Sequence, residues 1–392
     1  MRTSRTKMIG IAMAGVALAA LPACSTSKPE ANTVAAGDPS ASTAKGADTA
    51  ALDALYKGME NEPPSVSAKP AKGKSVWWIS CGLSIPDCSV PANAAKEAAG
   101  KLGIDFHIAD GKLNVGGGNA SAVRTALAAK PDAIIIHGIS CPIVQQPLEE
   151  AKAKGVKVLG VEALDCADTG GPRLFTTDMK YSKAAQSGED YFKAWGKISA
   201  QYIIAKSGGK AKIINNEGTE PLQATINQGF LDEIKTCGGC TIVDTIKFSS
   251  ADLTPNGPWI QGFRSSLVRN PTATATFLPF DVNIATAGGA QAVKESGHKL
   301  IAVGGTGQAP AINQVRSGAI TAITGAHSPE WMGYAAIDQI NRALNNEPTV
   351  AQGVGARVVD ADHNMPPNAD DYYQSPIDFR AAYDKAWKAA TG

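Results

Sequence analysis

Cysteine residues that lie close together in the sequence are the first groups of this chain that could do chemistry. Cys81 and Cys88 enclose a short segment after the apolar run SVWWIS, and Cys237 and Cys240 flank two glycines. In a reducing compartment such a pair indicates a metal site or thiol chemistry, whereas in an oxidising compartment it indicates a disulfide. The compartment of the mature chain therefore decides which chemistry is predicted.

The N-terminus predicts export. Arg2, Arg5 and Lys7 precede an apolar run over residues 8–20, and the sequence LPAC then ends at Cys24. This order of charge, apolar run and small residues is typical of a secretory signal, and the run is too short for a permanent transmembrane helix. The segment resembles a bacterial lipoprotein signal, which implies cleavage and acylation of Cys24, for example with palmitate. The alternative is an ordinary secretory signal that leaves a free thiol.

Export makes disulfides the expected state of the other cysteines. The chain has seven, so six remain after Cys24. The CGGC segment joins a helical pattern to a strand pattern, whereas a reactive thiolate is favoured at a helix N-terminus, so a structural loop closure is expected there rather than redox catalysis. No histidine lies at ligand spacing from any pair, and no metal is expected. Sequence spacing favours the following pairs: Cys81 with Cys88, Cys237 with Cys240, and Cys141 with Cys166.

The composition predicts a globular body after an extended N-terminal segment. The 392 residues are 44% hydrophobic with a net charge of +1, which suffices for two domain-sized cores and gives no bias toward nucleic acid or a membrane surface. Residues 1–23 are assigned to the signal, and residues 24–72, rich in Ala, Ser, Thr, Lys and Pro, to a flexible tether. Within the tether, TAALDALYKGM is a candidate for a short helix that docks on the body.

After residue 74, apolar runs alternate with helical patterns. SVWWIS, DFHIAD, DAIIIHG and VKVLGVE are typical of strands, and helical patterns separate them. Apolar runs without polar alternation indicate parallel strands that helices cover on both faces. The rhythm resumes after RLFTTD with a long helix over about residues 183–207. The sequence therefore predicts an α/β protein with two doubly wound, Rossmann-like lobes.

Several aromatic side chains and one histidine are assigned to the cores of these lobes. Trp77 and Trp78 lie on a strand whose two faces are both expected to be covered. His137, at the end of DAIIIHG, is interpreted as a core histidine with satisfied hydrogen bonds rather than a ligand. Apolar residues also recur every three or four positions along one face of the long helix, and these are Tyr191, Trp195, Ile198 and Tyr202.

The order of four fragments resembles the type I periplasmic-binding-protein family of the ribose and galactose type. The fragments are KPDAIIIHG with PLEEAKAKGVKVLGVE (130–162), TTDMKYSKAAQSG (176–188), INQGFLDEI (226–234) and GAITAITGAHSPEWMGYAAI (318–337). The resemblance covers roughly residues 73–350. It implies two lobes joined by a three-strand hinge, with a ligand cleft between them.

The resemblance also implies where the chain divides. The first lobe would hold residues 73–177 with 329–347, and the second lobe residues 178–327 with 348–392. The chain would cross between lobes near Thr177, near His327 and after about Glu347. Closure would then be stabilised by a ligand that contacts both lobes.

Three positions depart from the sugar-binding pattern of this family. Ile226 stands where an arginine commonly clamps sugar hydroxyls, Gly305 or Thr306 stands where an aspartate is expected, and His327 replaces a glutamine. Since a site built for a polyol is costly without its hydrogen-bonding partners, these changes favour an aromatic or otherwise less hydroxylated ligand. A sugar or polyol bound by other residues remains the alternative.

Ligand contacts are expected where strands end, because ligands of doubly wound sheets bind beyond the carboxyl ends of the strands. Asp281 could instead cap a helix, His327 could bond hinge backbone, and Trp331 could pack in a core. Disulfides at the ends of first-lobe strands would fix one mouth of the cleft before a ligand arrives. The candidate site residues are Ser80, Leu83, Ser84, Ser140, Asp165, Asn216, Glu217, Phe280, Asp281, His327 and Trp331.

The sequence predicts a binding protein rather than an enzyme. It contains no G-x-S-x-G, H-E-x-x-H or P-loop motif, and no cofactor is expected. The resemblance implies a monomeric solute receptor, anchored by lipid on the extracytoplasmic face of the cell membrane, that delivers its ligand to the permease of an ABC importer. A sensor that presents the bound ligand to a membrane receptor would have the same fold and is the other candidate.

Overall fold

Two β-sheets organise the chain, each flanked by helices. The computed structural model describes residues 48–391. The signal segment, Cys24 and the first half of the expected tether lie outside the described residues. No described helix is both long enough and apolar enough to span a bilayer.

The first lobe contains a five-stranded sheet with the order β2-β1-β3-β4-β5. All its strand pairs are parallel. Trp78 pairs with Ile135 in the centre of the sheet, and both are fully buried, as expected for a strand covered on both faces. The strands are β1 (Ser75–Ser80), β2 (Asp105–Asp110), β3 (Ala133–His137), β4 (Lys157–Val161) and β5 (Thr177–Asp178), and the helices between them are α2 (Pro86–Leu102), α3 (Gly118–Ala128) and α4 (Gln145–Ala153).

The second lobe contains a six-stranded sheet with the order β11-β10-β9-β8-β6-β7. Its pairs are parallel except that β11 runs antiparallel to β10. The strands are β6 (Lys212–Gly218), β7 (Thr241–Phe248), β8 (Ala275–Leu278), β9 (Ile301–Gly304), β10 (Ala322–Ala326) and β11 (Arg357–Asp360). The helices are α5 (Gly188–Ser207), α6 (Pro221–Ile234), α7 (Pro258–Arg269), α8 (Gly289–Ser296) and α9 (Ala309–Arg316).

The predicted α/β class with two doubly wound lobes is confirmed. The long helix α5 begins at Gly188 rather than near residue 183, because Ser187 caps it by accepting a hydrogen bond from the Asp190 N–H. Its predicted apolar face is buried, including Trp195 and Tyr202.

Helix α10 (Pro329–Leu344) carries the chain from the second sheet back to the first lobe. It packs against α2, and the two backbones come close at Gly333. A Cβ atom there would lie 2.4 Å from the carbonyl oxygen of Pro91. The chain thus passes between lobes after β5, after β10 and between α10 and β11, the three regions that the family resemblance implies.

The N-terminal segment differs from the expected flexible tether, since residues 48–74 pack on the body. Helix α1 (Thr49–Lys57) contacts α5 and β11. After it, Arg357 Nε donates to the buried Glu60 carboxylate over 2.6 Å, and Ser375 Oγ donates to it over 2.9 Å. The docked helix confirms the prediction for TAALDALYKGM. The composition concealed the packing of residues 58–74, because their partners come from the far end of the chain.

The C-terminal helix α11 (Phe379–Ala389) also departs from the expected division. It packs on α10 of the first lobe, whereas residues 348–392 were expected with the second lobe. The ring of Trp331 stacks on Phe379 with centroids 5.6 Å apart, and Tyr334 stacks on Trp387. Aromatic packing across sequence-distant helices therefore determines where the C-terminus lies.

All six described cysteines form disulfides, and the pairing predicted from spacing is confirmed. Cys88 lies within α2 rather than in a loop, because α2 already begins at Pro86. A proline is well placed at the first helical position, where its fixed φ suits the helix and its missing N–H costs nothing. The Cys81–Cys88 disulfide therefore ties the end of β1 to the first turn of a helix.

We predict that the Cys141–Cys166 disulfide contributes more to stability than Cys237–Cys240. It closes 25 residues of chain, against 3 for the other. Loop-closure entropy assigns about 3 kcal/mol to the longer loop and about half of that to the shorter. Urea unfolding of the Cys141→Ala/Cys166→Ala and Cys237→Ala/Cys240→Ala double variants measures both values. Equal losses, or free thiols in the denatured wild-type chain, would contradict the prediction.

Candidate functional site

A cavity of about 270 Å³ lies between the two lobes and is lined from both of them. Its polar lining residues stand at or just beyond the carboxyl ends of strands, where ligands of doubly wound sheets bind. From the first lobe they include His137 after β3 and Glu162 after β4, and from the second lobe Glu220 after β6 and Thr306 after β9. His327, directly after β10, lies where the chain returns to the first lobe.

A hydroxyl group joins two aspartates across the cleft. Thr306 Oγ1 lies 2.6 Å from Asp281 Oδ2 in its own lobe and 3.0 Å from Asp87 Oδ1 in the first lobe. A hydroxyl has one proton to donate, so it can serve only one of these carboxylates. The other contact requires a proton on a carboxyl group. The three side chains therefore form a bridge between the lobes that needs one additional proton.

Asp281 is held by the loop after β9. Its carboxylate accepts hydrogen bonds from the backbone N–H groups of Thr306 and Gln308, over 2.9 and 2.8 Å. Gly305 makes room for this contact, since it has φ 75° and a Cβ atom there would lie 2.3 Å from Asp281 Oδ1. A larger residue at Gly305 would be strained and would displace the carboxylate.

The electrostatic surroundings favour the proton on Asp87. Burial and the charge of Asp281 raise the pKa of Asp87 to about 7, against the opposing effect of His327. Burial also raises the pKa of Asp281, but Thr306 and the backbone N–H groups counteract that effect. Asp87 has no other hydrogen-bond donor among the described residues, so it is the member of the pair that binds the proton.

A second cluster, Glu162 between two histidines, lies at the base of the cleft. His137 Nε2 donates to Glu162 Oε2 over 3.1 Å, and His327 Nε2 lies 3.3 Å from Glu162 Oε1. His327 Nδ1 also donates to the Gly325 carbonyl oxygen over 3.0 Å. The Glu162 carboxylate therefore lies between two imidazole rings, one at the end of β3 and one directly after β10. Burial alone would raise the pKa of Glu162. His327 and His137 lower this pKa by more than burial raises it, so the net shift is downward.

Three aromatic rings form the apolar wall of the cavity. Phe192 and Trp195 extend from α5, and Phe280 follows β8. Trp195 and Phe280 meet edge to face with centroids 5.5 Å apart. A wall of this kind offers a ring face to the C–H surface of a bound ring. Together with the carboxylates and histidines of the lining, these rings give the cavity the composition of a binding site for a small, polar, cyclic molecule.

The sequence-predicted site residues fall into two groups. Ser140, Phe280 and His327 line the cavity, and Asp281 lies directly behind Thr306. The remaining seven do not line it. These are Ser80, Leu83, Ser84, Asp165, Asn216, Glu217 and Trp331.

The residues of the second group have structural partners instead. The Asp165 carboxylate accepts the backbone N–H groups of Cys166, Leu174 and Phe175. The Asn216 side-chain oxygen accepts the indole N–H of Trp259 over 2.9 Å. Ser80 Oγ donates to the Cys88 carbonyl oxygen, and Glu217 pairs with Lys247. Trp331 is buried and packs against α11, which agrees with the alternative that this residue belongs to a core.

Several lining residues were not among the predicted site residues, and four of them show why. His137 and Trp195 were assigned to cores, although each also faces the cavity. Glu162 ends the strand VKVLGVE, a position that the strand-end criterion could have selected. Asp87 could have been found from Pro86, since a proline that begins a helix places the next residue in the first turn of α2.

Comparison with known proteins agrees with this architecture. Residues 73–348 match the family described as periplasmic binding protein domain. A periplasmic ribose ABC transporter protein from Conexibacter woesei has a similar structure, with a TM-score of 0.60 and 19% identity over 75% of this chain and 94% of that chain. No curated protein matches the chain by sequence.

Two further solved structures have the same fold. The arabinose-transporter binding protein from Shewanella sp. ANA-3, bound to L-arabinofuranose, has a TM-score of 0.58 and 21% identity over 81% of this chain and 97% of that chain. A glucose-galactose binding protein from Geobacillus stearothermophilus has a TM-score of 0.63 and 17% identity over 74% of this chain and 98% of that chain. With the family match over most of its length, the chain belongs to the periplasmic binding protein family, in its type I form.

Proposed function

We propose that the protein is an extracytoplasmic solute receptor that binds a sugar or a related cyclic polyol in the interlobe cavity and delivers it to an ABC importer. The observation that carries this proposal is the lining of the cavity. Three aromatic rings line it together with acidic and histidine side chains from both lobes. Such a lining can stack on a ring and bond its hydroxyl groups.

The cavity supports the sugar alternative over the less hydroxylated ligand expected from the sequence. That expectation relied on Ile226, which replaces the arginine typical of sugar receptors. Ile226 is buried on α6 and does not line the cavity, while polar groups come from other positions, including Asp87, Glu162 and Thr306. The family members compared above are named for ribose, arabinose and glucose-galactose, which supports the same choice.

Ligand binding would stabilise the closed arrangement of the lobes. Asp87 contacts Thr306 across the cleft, so the closed form brings together groups that an open cleft would expose to water. A ligand that contacts both lobes binds the closed form more tightly than the open form and so stabilises it. The closed form would then be recognised by the permease or, in the sensor alternative, by a membrane receptor. A neighbouring gene for a permease and ATPase would favour transport, and one for a histidine kinase would favour sensing.

We predict that the hydroxyl of Thr306 contributes to sugar binding. Calorimetric titration with ribose, arabinose, glucose and galactose should identify at least one ligand in the micromolar range or tighter. Thr306→Val, which keeps the shape of the side chain, should weaken binding of that ligand by about 5-fold to 150-fold, because the interlobe bridge is lost. Thr125→Val, at an exposed position of α3, is the control and should bind as wild type. Absence of binding by any sugar would contradict the proposal.

We predict that neutral sugars bind more tightly below neutral pH. Closure raises the pKa of Asp87 to about 7, so the closed form gains a proton that an open, hydrated aspartate with a pKa near 4 would lack. This gain is complete below the open-state pKa and is lost as pH rises through 7. Affinity should fall about tenfold or more between pH 5 and pH 8, and Asp87→Asn should remove most of this dependence.

The pH profile also reflects the other groups around Asp87, namely Asp281, His327 and Glu162. A variant of His327 is the comparison, because this residue lines the same cavity. His327→Gln should weaken binding but keep a dependence that follows Asp87. An unchanged profile in Asp87→Asn would contradict the assignment of the proton.

We predict that Cys24 anchors the protein to the membrane. The LPAC segment supports acylation of this residue, and the following residues would tether the body at the extracytoplasmic face. Cys24→Ala should move the protein from the membrane fraction to the soluble extracytoplasmic fraction, as measured by fractionation and immunoblotting. Wild-type protein that is already soluble would contradict the lipid anchor and leave the receptor proposal intact.

A further inference from the structure

The cavity contains more acid than base. Three carboxylic acids line it, Asp87, Glu162 and Glu220, and within residues 48–391 no lysine or arginine does. A carboxylate removed from water requires a proton, a cation or several hydrogen-bond donors nearby. A lining carboxylate that has few such partners in the protein therefore indicates that the ligand supplies a positive charge or hydrogen-bond donors.

Two of the three acids are compensated by the protein. The Glu162 carboxylate accepts a hydrogen bond from His137 Nε2 and lies 3.3 Å from His327 Nε2, and these two histidines lower its pKa. Glu220 lies at the N-terminus of α6, where its carboxylate accepts hydrogen bonds from Ser250 Oγ over 2.7 Å and from Gln223 Nε2 over 3.0 Å. The positive end of the helix dipole stabilises a negative charge at this position.

Asp87 is the lining acid with the weakest compensation, because no described cation pairs with it and His327 opposes the rise in its pKa only in part. Its one described hydrogen-bond partner is Thr306 Oγ1, at 3.0 Å, and that hydroxyl lies closer to Asp281, at 2.6 Å. Asp281 also accepts backbone N–H groups and so keeps the hydroxyl proton by geometry. Closure of the cleft therefore leaves Asp87 to take up a proton from water or to bind a positive charge from the ligand.

We propose that the natural ligand is a cyclic polyol that carries a protonated amine, and that the Asp87 carboxylate binds this amine. The inference rests on the proposed sugar-binding function and narrows its ligand class to amino sugars and similar ring amines. An ammonium group offers three donors, enough to contact Asp87 and neighbouring acceptors together. The faces of Phe192, Trp195 and Phe280 accommodate both the ring and its charge.

The same charge distribution selects against acidic ligands. A carboxylated or phosphorylated sugar would bring a second negative charge to a cavity whose described lining has no lysine or arginine and whose two histidines already face Glu162. Like charges in a cavity that excludes most of the water repel more strongly than they do in water. Sugar acids should therefore bind weakly or not at all.

Matched sugar sets test the proposal. Calorimetry at pH 6 compares glucosamine, galactosamine and mannosamine with their neutral parents and with the N-acetyl forms, which keep the nitrogen but lose the charge. At least one amine should bind at least about tenfold more tightly than its parent and its N-acetyl form. Titrations in two buffers of different ionisation enthalpy should show that this amine binds with one fewer proton taken up than the parent sugar, because the ammonium replaces the proton on Asp87.

Two variants assign the effect to Asp87. Asp87→Asn should reduce the preference for the amine over its parent to about one, while binding of the neutral parent persists. Glu217→Gln removes a carboxylate near the end of β6 that pairs with Lys247 outside the cavity, and it should keep the wild-type preference.

The possible results separate this inference from the proposed function. A neutral sugar that binds as tightly as its amine, or a preference for the amine that survives in Asp87→Asn, overturns the inference and leaves the sugar-receptor function standing. Failure of every sugar, charged or neutral, to bind overturns the proposed function itself.

Discussion

A single hydroxyl proton shared between two carboxyl groups is the constraint on which the cleft depends. Thr306 bonds Asp281 within its own lobe and reaches Asp87 of the opposite lobe, but it can donate to only one of them. When the lobes meet, the second carboxyl group therefore needs a proton or a ligand cation. It does not need either when the lobes are apart and water surrounds it. Closure, pH and the charge of the ligand become parts of one equilibrium, because a proton and a ligand cation compete for the same carboxyl group.

The rest of the fold holds this contact in place. The Cys81–Cys88 disulfide and the proline at the start of α2 fix Asp87 at the cleft, and the backbone turn at Gly305 fixes Asp281. On the opposite side, the N-terminal segment adds to the three hinge crossings, since Glu60 pairs with Arg357 next to the returning chain. Rigid lobes and a packed hinge leave few positions for the two halves, which reduces the ordering cost of ligand binding.

The sequence was sufficient for the class of fold but not for the site. Uninterrupted apolar strands such as DAIIIHG are buried on both faces, and this pattern predicts parallel sheets covered by helices in two lobes. Export predicts disulfides, and the close spacing of the cysteines indicates how they pair. Asp87 was missed because its partner is more than two hundred residues away, and spacing in sequence carries no information on contacts formed when two lobes meet. Docking of the helix over residues 49–57 was predicted, but the packing of residues 58–74 was missed for the same reason. Polar composition predicted a tether, but partners such as Arg342 and Asn341 of α10 satisfy its backbone.

The most direct test of this account is the titration of Asp87 itself in the closed protein. Carbon-13 NMR of aspartate carboxyl groups, assigned with Asp87→Asn and recorded with a saturating neutral sugar, reports the protonation state of that side chain. The account predicts that Asp87 titrates near pH 7 in this complex and that the signal moves to the ionised position when a protonated amino sugar replaces the neutral one. An Asp87 that titrates near pH 4 in the sugar complex would show that the bridge through Thr306 needs no additional proton and would contradict the account.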